Sequence, residues 1–163
     1  MDLIQIAHER PDSPDAMRLI AQLDEYLTSL YPSESNHLLS IDGLLAPEVT
    51  FLVARSGPAA VGCGALVDCG PFGELKRFFV PPELRGRGIG NRILKELEVI
   101  ALEKGLALLR LETGVSQPEA VALYRRAGYT EIAAFAPYAP DPLSLFFEKR
   151  LVPAGLDSRL APR

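Results

Sequence analysis

Apolar and polar residues alternate through residues 3–9 (LIQIAHE), the two-residue period of a strand with one covered face. The period then lengthens. Met17, Ile20, Leu23, Leu27 and Leu30 fall on one face of a helix. Asp12, Ser13 and Pro14 are residues that open a helix, and Pro32 ends the pattern. Residues 33–45 (SESNHLLSIDGLL) predict a second short helix that stops near Gly43. Three strands follow at 49–56 (VTFLVARS), 59–69 (AAVGCGALVDC) and 73–80 (GELKRFFV). Their separators are short and rich in Gly and Pro, which predicts antiparallel neighbours.

The character then changes. Residues 89–105 (IGNRILKELEVIALEKG) carry Ile89, Ile93, Leu97, Ile100 and Ala101 at helical spacing, with Gly105 where a helix stop belongs. Residues 106–113 (LALLRLET) are almost continuously apolar, which predicts a strand covered on both faces. Residues 116–129 (SQPEAVALYRRAGY) predict a helix opened by a Ser116–Glu119 capping box and closed at Gly128. Two more strands are predicted at 129–135 (YTEIAAF) and 143–151 (LSLFFEKRL). The order β, α, α, β, β, β, α, β, α, β, β describes a mixed α/β chain with an antiparallel start and one central βαβ crossover. Residues 1–152 form one domain in this reading, and 153–163, with two prolines and scattered charge, a flexible tail.

Composition narrows the function classes. With 48% hydrophobic and 23% charged residues the chain is globular rather than disordered. No apolar run approaches the ~20 residues that span a bilayer, and the amino terminus lacks the basic-then-apolar pattern of a secretory signal. Cys63 and Cys69 fit neither a zinc spacing nor a disulfide framework, so a reducing, cytoplasmic setting is expected. His8 and His37 are isolated, and no metal site is expected. The net charge of −4 argues against a nucleic-acid binder. Yet between residues 76 and 95 six basic side chains (Lys76, Arg77, Arg85, Arg87, Arg92, Lys95) face one acid, Glu83. That local surplus suits a small anion, although a solvated basic patch explains it equally well.

The centre of that patch is RGRGIGNR, residues 85–92, between a strand and a helix. Unpaired N–H groups at a helix start and glycines that admit close approach favour a phosphate. A Walker A loop would continue with Lys and Ser or Thr, but Asn91 and Arg92 stand there. A dinucleotide fingerprint is weaker than it first looks. Ile93 occupies its third glycine position and five residues separate the strand from Gly86, although Glu112 lies where a ribose-binding acid would. The third pattern, R-x-x-G-x-G, is met by Arg85, Gly88 and Gly90.

On these residues the stretch LKRFFVPPELRGRGIGNRIL resembles motif A of the GNAT acyltransferase superfamily, and PEAVALYRRAGYTEI resembles its motif B. The resemblance covers residues 3–151 and the order of the elements. It implies the GNAT fold, a mixed α/β (α+β) architecture whose central sheet of about seven strands is splayed between the fourth and fifth, with about four helices. It further implies an acetyl-CoA-dependent N-acetyltransferase acting on a small-molecule amine by direct transfer, with a homodimer as the usual assembly. The rival reading is a GNAT-fold CoA or acyl-CoA sensor that transfers nothing.

The resemblance also distributes roles. Arg85, Gly86, Arg87, Gly88, Ile89, Gly90 and Asn91 would line the pyrophosphate of CoA. Phe79 and Val80 would pair their backbone with its pantetheine arm, and Gln117 and Ala120 would face its adenosine end. Tyr124 would protonate the leaving thiolate. Glu74, or Glu112 on the neighbouring strand, would take the amine proton. The acceptor would enter between LYPSESNHLL and FAPYAPDPLS, where Tyr31, Glu34, Tyr138 and Asp141 are the available polar and aromatic residues.

Overall fold

The alternation at residues 49–56 places Leu52 and Ala54 on one face of a sheet and Phe51 and Val53 on the other, and both faces are covered. The computed structural model describes residues 3–153, so the tail expected over 153–163 lies, after Pro153, outside the described residues. Seven strands build the sheet: β1 (Ile4–His8), β2 (Val49–Ser56), β3 (Ala59–Asp68), β4 (Gly73–Phe79), β5 (Leu108–Gly114), β6 (Thr130–Ile132) and β7 (Ser144–Arg150). They lie in the order β1-β2-β3-β4-β5-β7-β6. The helices are α1 (Pro14–Leu30), α2 (Ile41–Leu44), α3 (Ile89–Glu103) and α4 (Pro118–Arg126). Among the described residues no helix is long and apolar enough to cross a membrane.

All strand pairs are antiparallel except β4 with β5. That parallel pair holds register at only three positions, from Gly73↔Leu109 to Leu75↔Leu111. Beyond it the strands part, which is the splay that the GNAT resemblance implies. On one face α3 packs Ile93, Leu94 and Leu97 against Leu52, Leu66, Leu109 and Phe147. On the other, α1 packs Ala16, Leu19, Ile20 and Leu23 against Phe51, Val53, Cys63 and Phe79.

α1 starts as its sequence dictates. Ser13 caps it by accepting from the Ala16 N–H at 3.2 Å, and Pro14 sits in the first turn. Its covered face is rotated from the predicted one: Ala16 and Leu19 are buried, and Met17 is exposed. Four further expectations need correction. The second helix is a 3-10 turn, Ser33–Ser35, then extended chain and the short α2, because Ser40 caps a separate start on the Gly43 N–H. No Ser116–Glu119 capping box forms. Gln117 is the cap residue without a side-chain cap bond, and the Ser116 N–H instead donates to the Tyr31 hydroxyl at 3.0 Å. The strand expected at 129–135 shrinks to the three residues of β6, an edge strand paired only with β7. β5 is not covered on both faces: Leu109, Leu111 and Thr113 are buried, while Leu108, Arg110 and Glu112 are half-buried.

β4 carries a bulge. Two steps on β3, from Cys63 to Ala65, face three on β4, from Phe79 to Lys76. Arg77 takes up the extra residue in the left-handed region, at φ 54°, and its carbonyl accepts from Cys63 Sγ at 3.4 Å. Burial holds that thiol protonated, with its pKa pushed up to about 12.

Candidate active site

Two clefts open where β4 and β5 part, and they share Leu23, Phe78, Gln117 and Ala120. The larger, about 450 Å³, runs along the end of β4 between the glycine loop and α4. Phe79, Val80, Arg85, Gly86, Gly88, Ile89, Gly90 and Asn91 line it, as does Tyr26, which the sequence did not single out. Arg87 is exposed and does not line it. Gln117 and Ala120, expected at the adenosine end, stand where the two clefts meet.

The loop is built for an anion. Gly86 and Gly88 have φ of 80° and 81°, a conformation that L side chains rarely adopt, and each faces open space. Gly88 caps α3 without any side chain, so the first N–H groups of the helix meet the cleft with no protein acceptor competing for them. Arg85 is held beside them. Its Nε donates to the Val80 carbonyl at 3.1 Å, and its guanidinium lies 5.0 Å from the Tyr26 ring centre. A pyrophosphate fits this cradle, and an extended thiol arm fits the apolar run from Val80 to Phe78.

The smaller cleft, about 100 Å³, lies on the α1 side of the splay. Its floor is Glu74, Lys76 and Arg77 from β4 and Glu112 from β5. Its rim is the 35–38 segment and Tyr138 of the β6–β7 loop. Tyr31 lines it too. Besides accepting from Ser116, Tyr31 donates to Gln117 Oε1 at 3.2 Å, so it ties α1 to the start of α4. Gly114 makes room for it, since a Cβ there would lie 1.9 Å from the Tyr31 oxygen.

Glu74 is not a strand-end charge in solvent. It is buried, accepts a short hydrogen bond from the Tyr138 hydroxyl and lies 3.6 Å from Lys76 Nζ. Lys76 Nζ in turn donates to the Tyr138 oxygen at 2.6 Å. Burial and the bond to Glu74 push the Tyr138 pKa up, which keeps its proton in place. Its ring packs edge-on against His37 at 5.3 Å.

Glu112 is different. Its Oε2 is buried without a hydrogen-bond partner. Burial raises its pKa from 4.5 to about 7; Lys76 opposes the shift, and Glu74 and Asp141 add to it. Tyr124, the motif B tyrosine, is buried between Phe78, Tyr129 and Phe147 and lines the same cleft. Burial, then the Glu112 charge, pushes its pKa up, so it stays a phenol.

Two expected acceptor residues are elsewhere. Glu34 lies in the 3-10 turn and does not line the cleft. Asp141 spends its carboxylate within the protein, accepting from Ser35 Oγ and the Leu143 N–H, both at 2.8 Å. These bonds hold its pKa below the usual range and pin the β6–β7 loop to the 33–35 turn. In the smaller cleft, Lys76, Arg77 and His37 are residues that the sequence did not mark as belonging to the site. The basic patch at 76–95 was the available signal for the first two, and nothing in the sequence brings His37 to the cleft.

The family model described as acetyltransferase (GNAT) family matches residues 15–129. An IAA acetyltransferase of Azospirillum brasilense is 50% identical over 153 residues, covering 93% of this chain and all of that one. A solved Klebsiella pneumoniae structure, assigned as an acyl-CoA N-acyltransferase, superposes with a TM-score of 0.79 at 41% identity, covering 92% of this chain and 99% of its own. The PaiA N-acetyltransferase of Thermoplasma acidophilum, solved in complex with coenzyme A, shares the fold at a TM-score of 0.69 and 19% identity, covering 91% of this chain and 99% of its own.

Proposed function

The chain belongs to the GNAT family of N-acetyltransferases, and from that premise we propose that it moves the acetyl group of acetyl-CoA directly onto a small primary amine held in the smaller cleft. The observation that carries the reading is the meeting of the two clefts at the β4–β5 splay, with Tyr124 and Glu112 lining the acceptor side. The Azospirillum relative is named for IAA rather than for a protein acceptor, which supports a small molecule.

In this reading the larger cleft takes CoA, with its pyrophosphate on the N–H groups of residues 86–91 and its thioester at the junction. Glu112 takes the ammonium proton and frees the nitrogen lone pair. The C–N bond forms as the C–S bond breaks. Tyr124 gives its proton to the departing thiolate and is reprotonated by the second proton that the nitrogen sheds. The unpaired Oε2 of Glu112 and its pKa near neutrality support its choice as the base over Glu74, whose carboxylate already serves Tyr138 and Lys76. Incubating the protein with acetyl-CoA and a panel of primary amines while following free CoA thiol tests the reading. Release that depends on the amine is expected. No calorimetric binding of acetyl-CoA at millimolar concentration would refute it.

A further inference from the structure

We propose that the acceptor is an amino acid type molecule, whose amine lies at Glu112 and whose carboxylate is held by the Arg77 guanidinium. The proposal rests on the acetyltransferase reading and narrows its substrate class.

The inference comes from which polar groups of the smaller cleft the protein satisfies and which it leaves bare. Tyr31 is bonded to Ser116 and Gln117. Lys76, Tyr138 and Glu74 are bonded to one another. Two groups remain. Glu112 Oε2 is buried and unpartnered. Arg77, whose side chain is only 3% exposed, has Nη2 at 2.7 Å from Asp24 Oδ1 but no hydrogen-bond partner at Nε or Nη1. That contact is charge pairing without hydrogen-bond alignment, since the Asp24 oxygen is also left unbonded.

A guanidinium keeps its charge at any accessible pH and carries five donors in a planar fork. Burying such donors without acceptors is unfavourable. The protein nevertheless places Arg77 there through the β4 bulge, in a backbone conformation that is itself uncommon for a side chain of this kind. A carboxylate is the ligand whose two oxygens match adjacent guanidinium nitrogens. Glu112 on β5, with Oε2 unbonded, and Arg77 on β4, with Nε and Nη1 unbonded, stand on neighbouring strands of one small cleft. Together they complement a molecule that carries both an ammonium and a carboxylate. A plain amine would meet Glu112 and leave Nε and Nη1 of Arg77 without an acceptor.

The test uses matched acceptors: glycine, alanine, β-alanine and larger amino acids, each against its carboxamide. Thiol release from acetyl-CoA gives kcat/KM for each member. The acid is expected to exceed its amide by at least about tenfold, the loss of one charge-assisted bond. In Arg77→Met that preference should fall below about threefold, mainly through KM. Because Arg77 is buried, a thermal melt first establishes that the variant folds. Asp24→Asn supplies a second variant that removes only the competing acid, and the KM for the preferred acid should then fall. Amides that react as well as acids in the unaltered protein would overturn the proposal and leave the acetyltransferase reading standing. If no amine releases thiol, that reading fails. The proposal is then decided by saturation-transfer NMR on the CoA-loaded protein, where equal binding of acids and amides, or none, refutes it.

Discussion

Glu112→Gln keeps the shape of the side chain and removes its charge, and it should alter stability and catalysis in opposite directions. Burial has moved the carboxyl from 4.5 to about 7. The folded protein therefore binds more protons than the unfolded chain between these values, and stability falls as pH rises through them. The penalty is absent below the unfolded value and complete above the folded one. At ~1.4 kcal/mol for each tenfold change in proton affinity it amounts to roughly 3 kcal/mol near pH 8. Glutamine never carries this charge. Thermal melts should show the variant up to about 10 °C more stable near pH 8, with the gain vanishing near pH 4. Steady-state assays should show the reverse. Wild-type kcat/KM should rise with pH to a plateau above about 7, and the variant should lose that inflection with ~10²-fold or more of the rate. A variant that keeps both the wild-type rate and the inflection would remove Glu112 as the base. Equal melting temperatures at every pH would show that the carboxyl is not desolvated.

Tyr124→Phe should lower kcat by at least about tenfold with little change in CoA affinity by calorimetry, because the ring stays packed while the proton donor is lost; unchanged turnover would remove the phenol from the reaction. Gly114→Ala should destabilise the fold by ~1–3 kcal/mol in a denaturant titration, since the new Cβ would lie 1.9 Å from the Tyr31 oxygen. Adding Tyr31→Phe should recover little of that loss, because the ring carbon Cζ would still lie 2.2 Å from the new Cβ, and a double variant as stable as the unaltered protein would contradict this account.

What the sequence made legible follows from how far each signal reaches along the chain. The helical spacing of Ile89, Ile93 and Leu97 and the glycine loop are local, and they place the donor cleft. The failed capping box shows the limit. Ser116 and Glu119 have the right spacing, but Tyr31, far off in sequence, takes the Ser116 N–H. The acceptor cleft is assembled from such distant meetings: Tyr138 reaches Glu74 and Lys76 from the β6–β7 loop, and Ser35 ties down Asp141. Apolar continuity along residues 106–113 suggested two covered faces, whereas the half-open face is the one that carries Glu112. The five apolar residues among 106–113 could not tell a cleft from a core.

The bulge at Arg77 explains how a single strand serves both substrates. In an unbroken strand side chains alternate, so Glu74, Lys76, Phe78 and Val80 would share a face. The extra residue reverses the alternation after Lys76. Glu74 and Lys76 keep facing the acceptor cleft, and Phe79 rather than Phe78 joins the core beneath α1. Phe78 and Val80 turn to the other side, where Phe78 lies 5.9 Å from the Tyr124 ring and both line the donor cleft. Without the bulge the polar floor and the apolar thiol channel would compete for one face, and Phe79 would leave its place against Cys63 and Ala65. The bulged residue itself falls at the crossing point between the two surfaces, and there the chain has an arginine whose buried Nε and Nη1 find no acceptor within the protein.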